Sequence, residues 1–576
     1  MTIASRFFER AMKLPPAANR AVEVQRDLRI PMPDGVELLA DRYVPGGAGR
    51  PPLVLVRSPY GRRGVWGLMF GRLLAERGFQ VVIQSCRGTF GSGGTLDPFG
   101  PDEHDDGLAT VAWLREQPWY PGAFGTTGPS YLGMVQWAIA ADAGPDLRAM
   151  APQVTTSDFR AAFYAGEAFY LETALGWVDQ VARQERRFSF ATQSRAEHRL
   201  RTILDHLPLG DLDRLATGQH VPYYQDWLIH NAPGDDYWKG RRYADTLDRV
   251  TAPVSMVGGW NDIFLPLQLR DYAALRAAGQ EPYLTIGPWR HADQQAVAAW
   301  VRDSVAWLRA HLLGDRSGLR SDPVRIFVTG VEEWRDLPAW PPPTQEERWY
   351  LQADGALAPE LPVSGEPDRY RYDPADPTPS LGGAVGLSGR ARVDNRILEA
   401  RPDVLTYTST ALPGDLEVFG RVTADLFVRS SREHTDFFAR LCEVDPAGAS
   451  VNICDALLRL VPGQPAPGPD GTIRVRLPLW PVAHRFRRGN RLRLQVSSGA
   501  HPRYARNTGT GEPLATATTL VTADQQVHHD PDHPSAVILP VGAGAEADSD
   551  IAMSDEERAR ADEVPGISSR PGESAT

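Results

Sequence analysis

The chain has 576 residues, 42% of them hydrophobic and 23% charged, with a formal net charge of −11. At about 100–200 residues per domain this allows two to four globular domains, and the dispersed arginines exclude the basic stripe that a nucleic-acid partner needs. Three cysteines (Cys86, Cys442 and Cys454) without metal-type spacing exclude a disulfide framework, and no apolar run has the length of a signal segment or a membrane span, so a cytoplasmic protein without membrane attachment is expected.

Glu23 to Val44 reads as a β-hairpin turning at Pro33-Asp34-Gly35. Leu53 to Val56 is a short apolar strand, followed by a helix-period segment from Val65 to Arg77 and a second buried strand from Phe79 to Ile83. A helix is predicted from Glu103 to Gln117, and the strand Phe124 to Thr127 leads into a helix from Tyr131 to Ala141. The alternation resumes with the strand Val254 to Val257, the helix Leu267 to Ala278, the strand Tyr283 to Ile286, the helix Gln294 to Leu313 and the strand Val324 to Val328. Strands alternating with helices in this way predict a parallel sheet covered on both faces. Between Gln153 and Arg249 the strand signal vanishes into aromatic and charged helical stretches, which predicts a cap inserted in the α/β fold. After Pro341-Pro342-Pro343, short alternating runs such as Ala424 to Val428 and Arg491 to Val496 predict a β-sandwich or jelly roll. The basic run His484-Arg485-Phe486-Arg487-Arg488 reads as a solvated edge of that region. The expected organisation is an α/β-hydrolase core over 1–152 and 250–340, a helical cap over 153–249, a jelly roll over 341–541 and a disordered acidic tail over 542–576.

Ser130 sits in Gly128-Pro129-Ser130-Tyr131-Leu132-Gly133, between a predicted strand and a predicted helix. That is where a nucleophile elbow presents a serine on a strained turn, although the usual G-x-S-x-G has Leu132 where its second glycine belongs. A serine hydroxyl needs a base and oxyanion donors, and in this fold an acid and then a histidine follow later strands. Asp262, in Gly258-Gly259-Trp260-Asn261-Asp262, and His291, in Gly287-Pro288-Trp289-Arg290-His291, occupy those two places. Three other features admit chemical readings. The loop Gly88 to Gly94 lacks the Lys-Ser/Thr ending of a phosphate loop, and the run His528 to His533 reads as a turn, so neither a nucleotide nor a metal is expected and no cofactor is called for. Cys86 has no partnered base and reads as a small packed residue.

Arg57-Ser58-Pro59-Tyr60, Arg87-Gly88, the Ser130 motif and the Asp262 and His291 motifs occur in one order, and together with Ser498 to Gly509 and His533-Pro534-Ser535 they resemble the CocE/NonD acyl-hydrolase family, a relative of the X-Pro dipeptidyl-peptidases. The resemblance implies a Ser130–His291–Asp262 triad, with the Tyr60 phenol and the Tyr131 backbone N–H as oxyanion donors. Many relatives carry an acid before the Arg-Gly loop, where this chain has Ser85-Cys86, and that loop is expected to shape the site. Phe163, Phe169, Tyr170, Trp177 and Phe264 are candidate walls of the substrate pocket. Ile263-Phe264-Leu265 directly after Asp262 disfavours recognition of a charged amine there, although Glu167 or Glu172 of the cap could supply an acid instead. The expected function is hydrolysis of a small-molecule carboxylic ester or an amide. The alternatives are Xaa-Pro dipeptidyl-peptidase or aminopeptidase activity, acyl transfer through the same acyl-enzyme, and an inactive jelly-roll-bearing binding protein. The oligomeric state stays open, a homodimer among the choices.

Overall fold

A computed structural model describes residues 2–47, 49–186, 193–384 and 389–542, and the expected acidic tail lies, from 543 onward, outside them. Leu53–Ser58, Gln80–Ser85 and Phe124–Pro129 are buried along their whole length, as strands covered on both faces must be. Leu53–Ser58 pairs in parallel with both of the others, and Leu147–Gln153 extends the sheet beyond Phe124–Pro129. Alternate residues feed opposite cores. Leu53 and Leu55 pack with Met134 and Val135, whereas Val54 and Val56 pack with Val301 and Val305.

The hairpin Val22–Pro31/Glu37–Pro45 joins one edge antiparallel. Beyond Leu147–Gln153 a bridge between Met150 and Val254 carries the sheet on into Ser255–Gly259, Tyr283–Gly287, Val324–Val328 and the antiparallel Glu333–Leu337. This is an α/β-hydrolase sheet. Leu147–Gln153 escaped sequence analysis because Leu-Arg-Ala-Met-Ala-Pro-Gln has little β-propensity of its own; its neighbours on both sides impose the strand. The segment predicted as one helix from Val65 to Arg77 instead contains a π-helical turn, Gly67–Arg72, between two short α-turns. There the Tyr43 ring presses on Gly67 and Gly71 so closely that a Cβ on either would lie within 2.3 or 2.7 Å of it.

The cap is helical, with Leu171–Arg183 and Pro222–Ile229 among its helices and one small ribbon, Tyr164–Ala165 against Ala168–Phe169. It is sutured to the C-terminal domain by its backbone: the Arg459 N–H donates to the Gly166 carbonyl at 2.8 Å. A Cβ at Gly166 would fall 1.8 Å from the Leu457 carbonyl oxygen, so only glycine fits.

The C-terminal domain is a jelly roll of long antiparallel strands, Leu416–Ser430 with Ile473–Phe486 and Thr435–Val444 with Ser450–Leu460. The run 484–488 is not simply a solvated edge. His484 and Phe486 are buried, and His484 Nδ1 meets Thr329 Oγ1 at 2.8 Å across the joint with the hydrolase core. Among the described residues no helix is long and apolar enough to cross a membrane.

Candidate active site

Ser130 links the strand Phe124–Pro129 to the helix Tyr131–Ala140 with φ 56° and ψ −122°, a conformation L-residues avoid. The turn is held by the Ser130 N–H donating to the Gln153 carbonyl at 2.9 Å and by Thr155 Oγ1 donating to the Ser130 carbonyl at 2.8 Å. Its departure from the usual motif has a steric cause. Leu132 packs into the core directly over Gly128, where a Cβ would come within 2.4 Å of the leucine, and Gly133 is the residue that lies against Thr155, where a Cβ would come within 2.5 Å of the threonine side chain. The small residues are needed at 128 and 133.

Asp262 and His291 follow neighbouring parallel strands, paired in register from Tyr283↔Ser255 to Gly287↔Gly259. The loops beyond those strands are zipped together, Trp260 N–H to the Gly287 carbonyl at 2.9 Å and Asn261 N–H to the Trp289 carbonyl at 3.1 Å. The result is a 2.8 Å contact between His291 Nδ1 and Asp262 Oδ2. The other oxygen, Asp262 Oδ1, accepts the Phe264 N–H at 2.8 Å, so the fully buried carboxylate is oriented at both ends. The Phe264 ring meets the imidazole edge-on at 5.4 Å. Ser130 and His291 face one cavity without a direct hydrogen bond between them, and such bonds tighten when substrate binds.

Tyr60 follows the strand Leu53–Ser58 and lines the same cavity as Ser130. Burial pushes this phenol up to about 12, while hydrogen bonds from Trp177 and with Ser130 pull the other way. The proton therefore stays on the oxygen, available for donation. Tyr131 opens the elbow helix, so its N–H has no carbonyl four residues earlier within that helix to bond. Its phenol ends in a buried polar lattice, where Tyr131 Oη donates to Glu103 Oε1 at 2.5 Å. Arg57 grips the same Glu103 twice, at Oε2 (2.7 Å) and at the backbone carbonyl (2.6 Å). Burial holds the Glu103 carboxyl above the usual range, opposed by the Arg57 charge. Cys86 packs beside it, buried, its thiol pushed up by desolvation.

The cavity above Ser130 holds about 470 Å³. Phe163, Trp177 and Phe264 line it; Phe169 and Tyr170 do not. Phe169 is fully buried against Tyr164 and Tyr224, and Tyr170 stacks on Tyr504 of the jelly roll at 4.7 Å, so both belong to the cap's supporting core. Phe99 and Phe159, which stack at 3.8 Å on the cavity wall, are not among the wall residues expected from the sequence. The one local signal was Pro98-Phe99-Gly100, where Phe99 takes φ 61°. The Arg87-Gly88 loop does not reach the cavity; Arg87 is tied to Asp106 and Asp34, and Phe90 packs under Gly61. Of the two cap acids, Glu172 lines the cavity, whereas Glu167 pairs with Arg160 at 2.6 Å outside it.

One group of metal-ligand type occurs among the described residues: His528, Asp530 and His533, with donor atoms within 4.8 Å of one another. It lies on the jelly roll as a turn in which Asp530 Oδ1 accepts the Asp532 and His533 N–H groups and His533 is bonded to Asp530.

Residues 34–293 match the family model described as X-Pro dipeptidyl-peptidase (S15 family), and residues 318–538 match the model of the X-Pro dipeptidyl-peptidase C-terminal non-catalytic domain. The chain is 33% identical over 570 residues to a cocaine esterase from Rhodococcus sp. (strain MB1 Bresler), covering 90% of this chain and 98% of that one. A solved α-amino acid ester hydrolase shares the fold at a TM-score of 0.77 and 24% identity, over 92% of this chain and 98% of that one. An aminopeptidase from a marine sediment Thaumarchaeota archaeon does so at 0.76 and 22% identity, over 90% and 96%.

Proposed function

Because the chain belongs to the X-Pro dipeptidyl-peptidase (S15) family, whose members are serine hydrolases acting on esters or X-Pro peptides, we propose that it hydrolyses carboxylic esters bearing a bulky apolar acyl group through an acyl-enzyme on Ser130. His291 takes the Ser130 proton as Oγ attacks the acyl carbon. Asp262 keeps the imidazole in the tautomer with Nε2 free and supports its charge once protonated. The Tyr60 phenol and the Tyr131 N–H hold the oxyanion. The imidazolium then protonates the departing alcohol, water adds to the acyl-enzyme by the same route, and Ser130 is released with the acid.

The observation that carries this reading is the 2.8 Å His291–Asp262 contact, with His291 lining the same cavity as the strained Ser130. The acyl preference rests on the Phe99, Phe159, Phe163 and Phe264 walls, which offer area rather than charge. The test is labelling with a fluorophosphonate probe followed by a panel of p-nitrophenyl esters and Xaa-Pro anilides. Modification at Ser130 and a preference for aryl or branched acyl esters is expected; absence of labelling in folded protein overturns the reading.

A second reading, release of Xaa-Pro dipeptides, has one observation in its favour. The Glu172 carboxyl lines the cavity and could meet a substrate ammonium, although burial raises it above the ordinary carboxylate range. A preference for Xaa-Pro anilides over neutral esters would establish it.

A further inference from the structure

Trp177 belongs to the cap helix Leu171–Arg183, yet its polar contact is with the core. Its indole N–H donates to the Tyr60 phenol oxygen at 3.0 Å. Its ring also lies parallel to the Tyr131 ring, 6.1 Å away and tilted by only 7°. One cap side chain thus bonds the Tyr60 phenol directly and stacks beside the ring of Tyr131.

A phenol has one proton and can accept as well as donate. When the indole fills a lone pair from the cap side, the Tyr60 O–H is left to point away from Trp177, into the cavity that Ser130 and His291 also line. Accepting that bond also polarises the O–H and makes it a stronger donor. Without the indole N–H, the phenol is flanked on one face by the Trp66 ring at 5.5 Å, which constrains the Tyr60 ring but not the rotation of its hydroxyl.

From this geometry we infer that Trp177 is a positioning residue of the oxyanion hole, contributed by the cap, which fixes the direction of the Tyr60 proton. The inference rests on the proposed oxyanion role of Tyr60. It differs from a wall role in one respect: a wall uses the area of the indole and is indifferent to its N–H.

The test compares the wild type, Trp177→Phe, Tyr60→Phe and the double variant on one p-nitrophenyl ester. Removing one oxyanion donor typically slows an enzyme by about 10²–10³, so Tyr60→Phe is expected near that range, and Trp177→Phe, which only misdirects the donor, near roughly 10-fold in kcat with KM within about threefold. The double variant is expected to be no slower than Tyr60→Phe alone, because the N–H then has nothing to orient. Losses that multiply in the double variant, or a loss confined to KM, would overturn the inference and leave Trp177 a wall. Since phenylalanine also opens a void, 3-benzothienylalanine at position 177, which keeps the bicyclic shape without an N–H, must reproduce the kcat loss; full activity with it overturns the inference. Should Tyr60→Phe itself keep the wild-type kcat, the oxyanion reading fails first and takes this inference with it, an outcome distinct from the others.

Discussion

The cap borders two cavities, and the smaller of them is the one lined by Ser130 and His291. Between core and cap the space is about 470 Å³; between cap and jelly roll it is about 1320 Å³. The larger is lined by Leu458, Val461 and Pro513 together with His220, His434 and Glu512, and among the described residues no serine or cysteine faces it. His220 is turned to Asp213 at 3.2 Å, a bond that steadies the cap. Volume measures room, whereas chemistry requires that a strained nucleophile, a braced base and aimed donors converge on one point. Of these two cavities, the small one brings Ser130, His291 and Tyr60 together.

The contrast can be broken or sharpened in order of expected effect. Ser130→Ala is expected to lower kcat/KM for a p-nitrophenyl ester by at least about 10⁴ and to abolish fluorophosphonate labelling; residual labelling elsewhere would move the chemistry out of the small cavity. Asp262→Asn leaves the shape intact but favours the wrong imidazole tautomer, so kcat is expected to fall by about 10³–10⁴ in steady-state assays.

Asp271 is a third, structural case. Its buried carboxyl accepts the Ser157 N–H (2.8 Å) and hydroxyl (2.7 Å) where core passes into cap, and burial pushes it up to about 6. The folded state then binds a proton more tightly than the unfolded state, so this group favours folding below about pH 4 and loses that contribution as pH rises through about 6. Asp271→Asn is expected to flatten that fall by up to about 3 kcal/mol in urea melts at pH 4 and pH 7. Phe163→Ala is expected to raise KM for an aryl acyl ester about 10-fold while sparing the acetyl ester. Ile229→Arg, at an exposed lining position of the large cavity, is expected to leave both esters within about twofold.

Much of the architecture was legible because short apolar strands alternating with amphipathic helices announce themselves by period, and because Asp262 and His291 stand where chain order and strand ends place an acid and a base. The elbow was harder to read, since Leu132 broke the usual pattern. The working rule there is steric, set by how Leu132 meets Gly128 and how Gly133 meets Thr155, and spacing alone does not encode it. Phe99 and Phe159 were invisible because their stacking joins a loop of the core to the cap, sixty residues apart in the chain. The lattice of Arg57, Glu103 and Tyr131 was missed for the same reason. A buried carboxylate is read from sequence as a surface helix residue, and only the fold shows the guanidinium that keeps it inside.

The backbone suture at Gly166 has a consequence for recombination. Because the Gly166 carbonyl is bonded to Arg459 and no side chain fits against Leu457, the cap is matched to the jelly roll beneath it as well as to the core it covers. A chimera that exchanges the cap alone would inherit a mismatched seam, whereas one that carries residues 457–459 with the cap keeps the fit. Libraries meant to change the acyl group accepted belong at the side chains that line the small cavity, Phe159 and Phe163 among them, rather than at Gly166 itself.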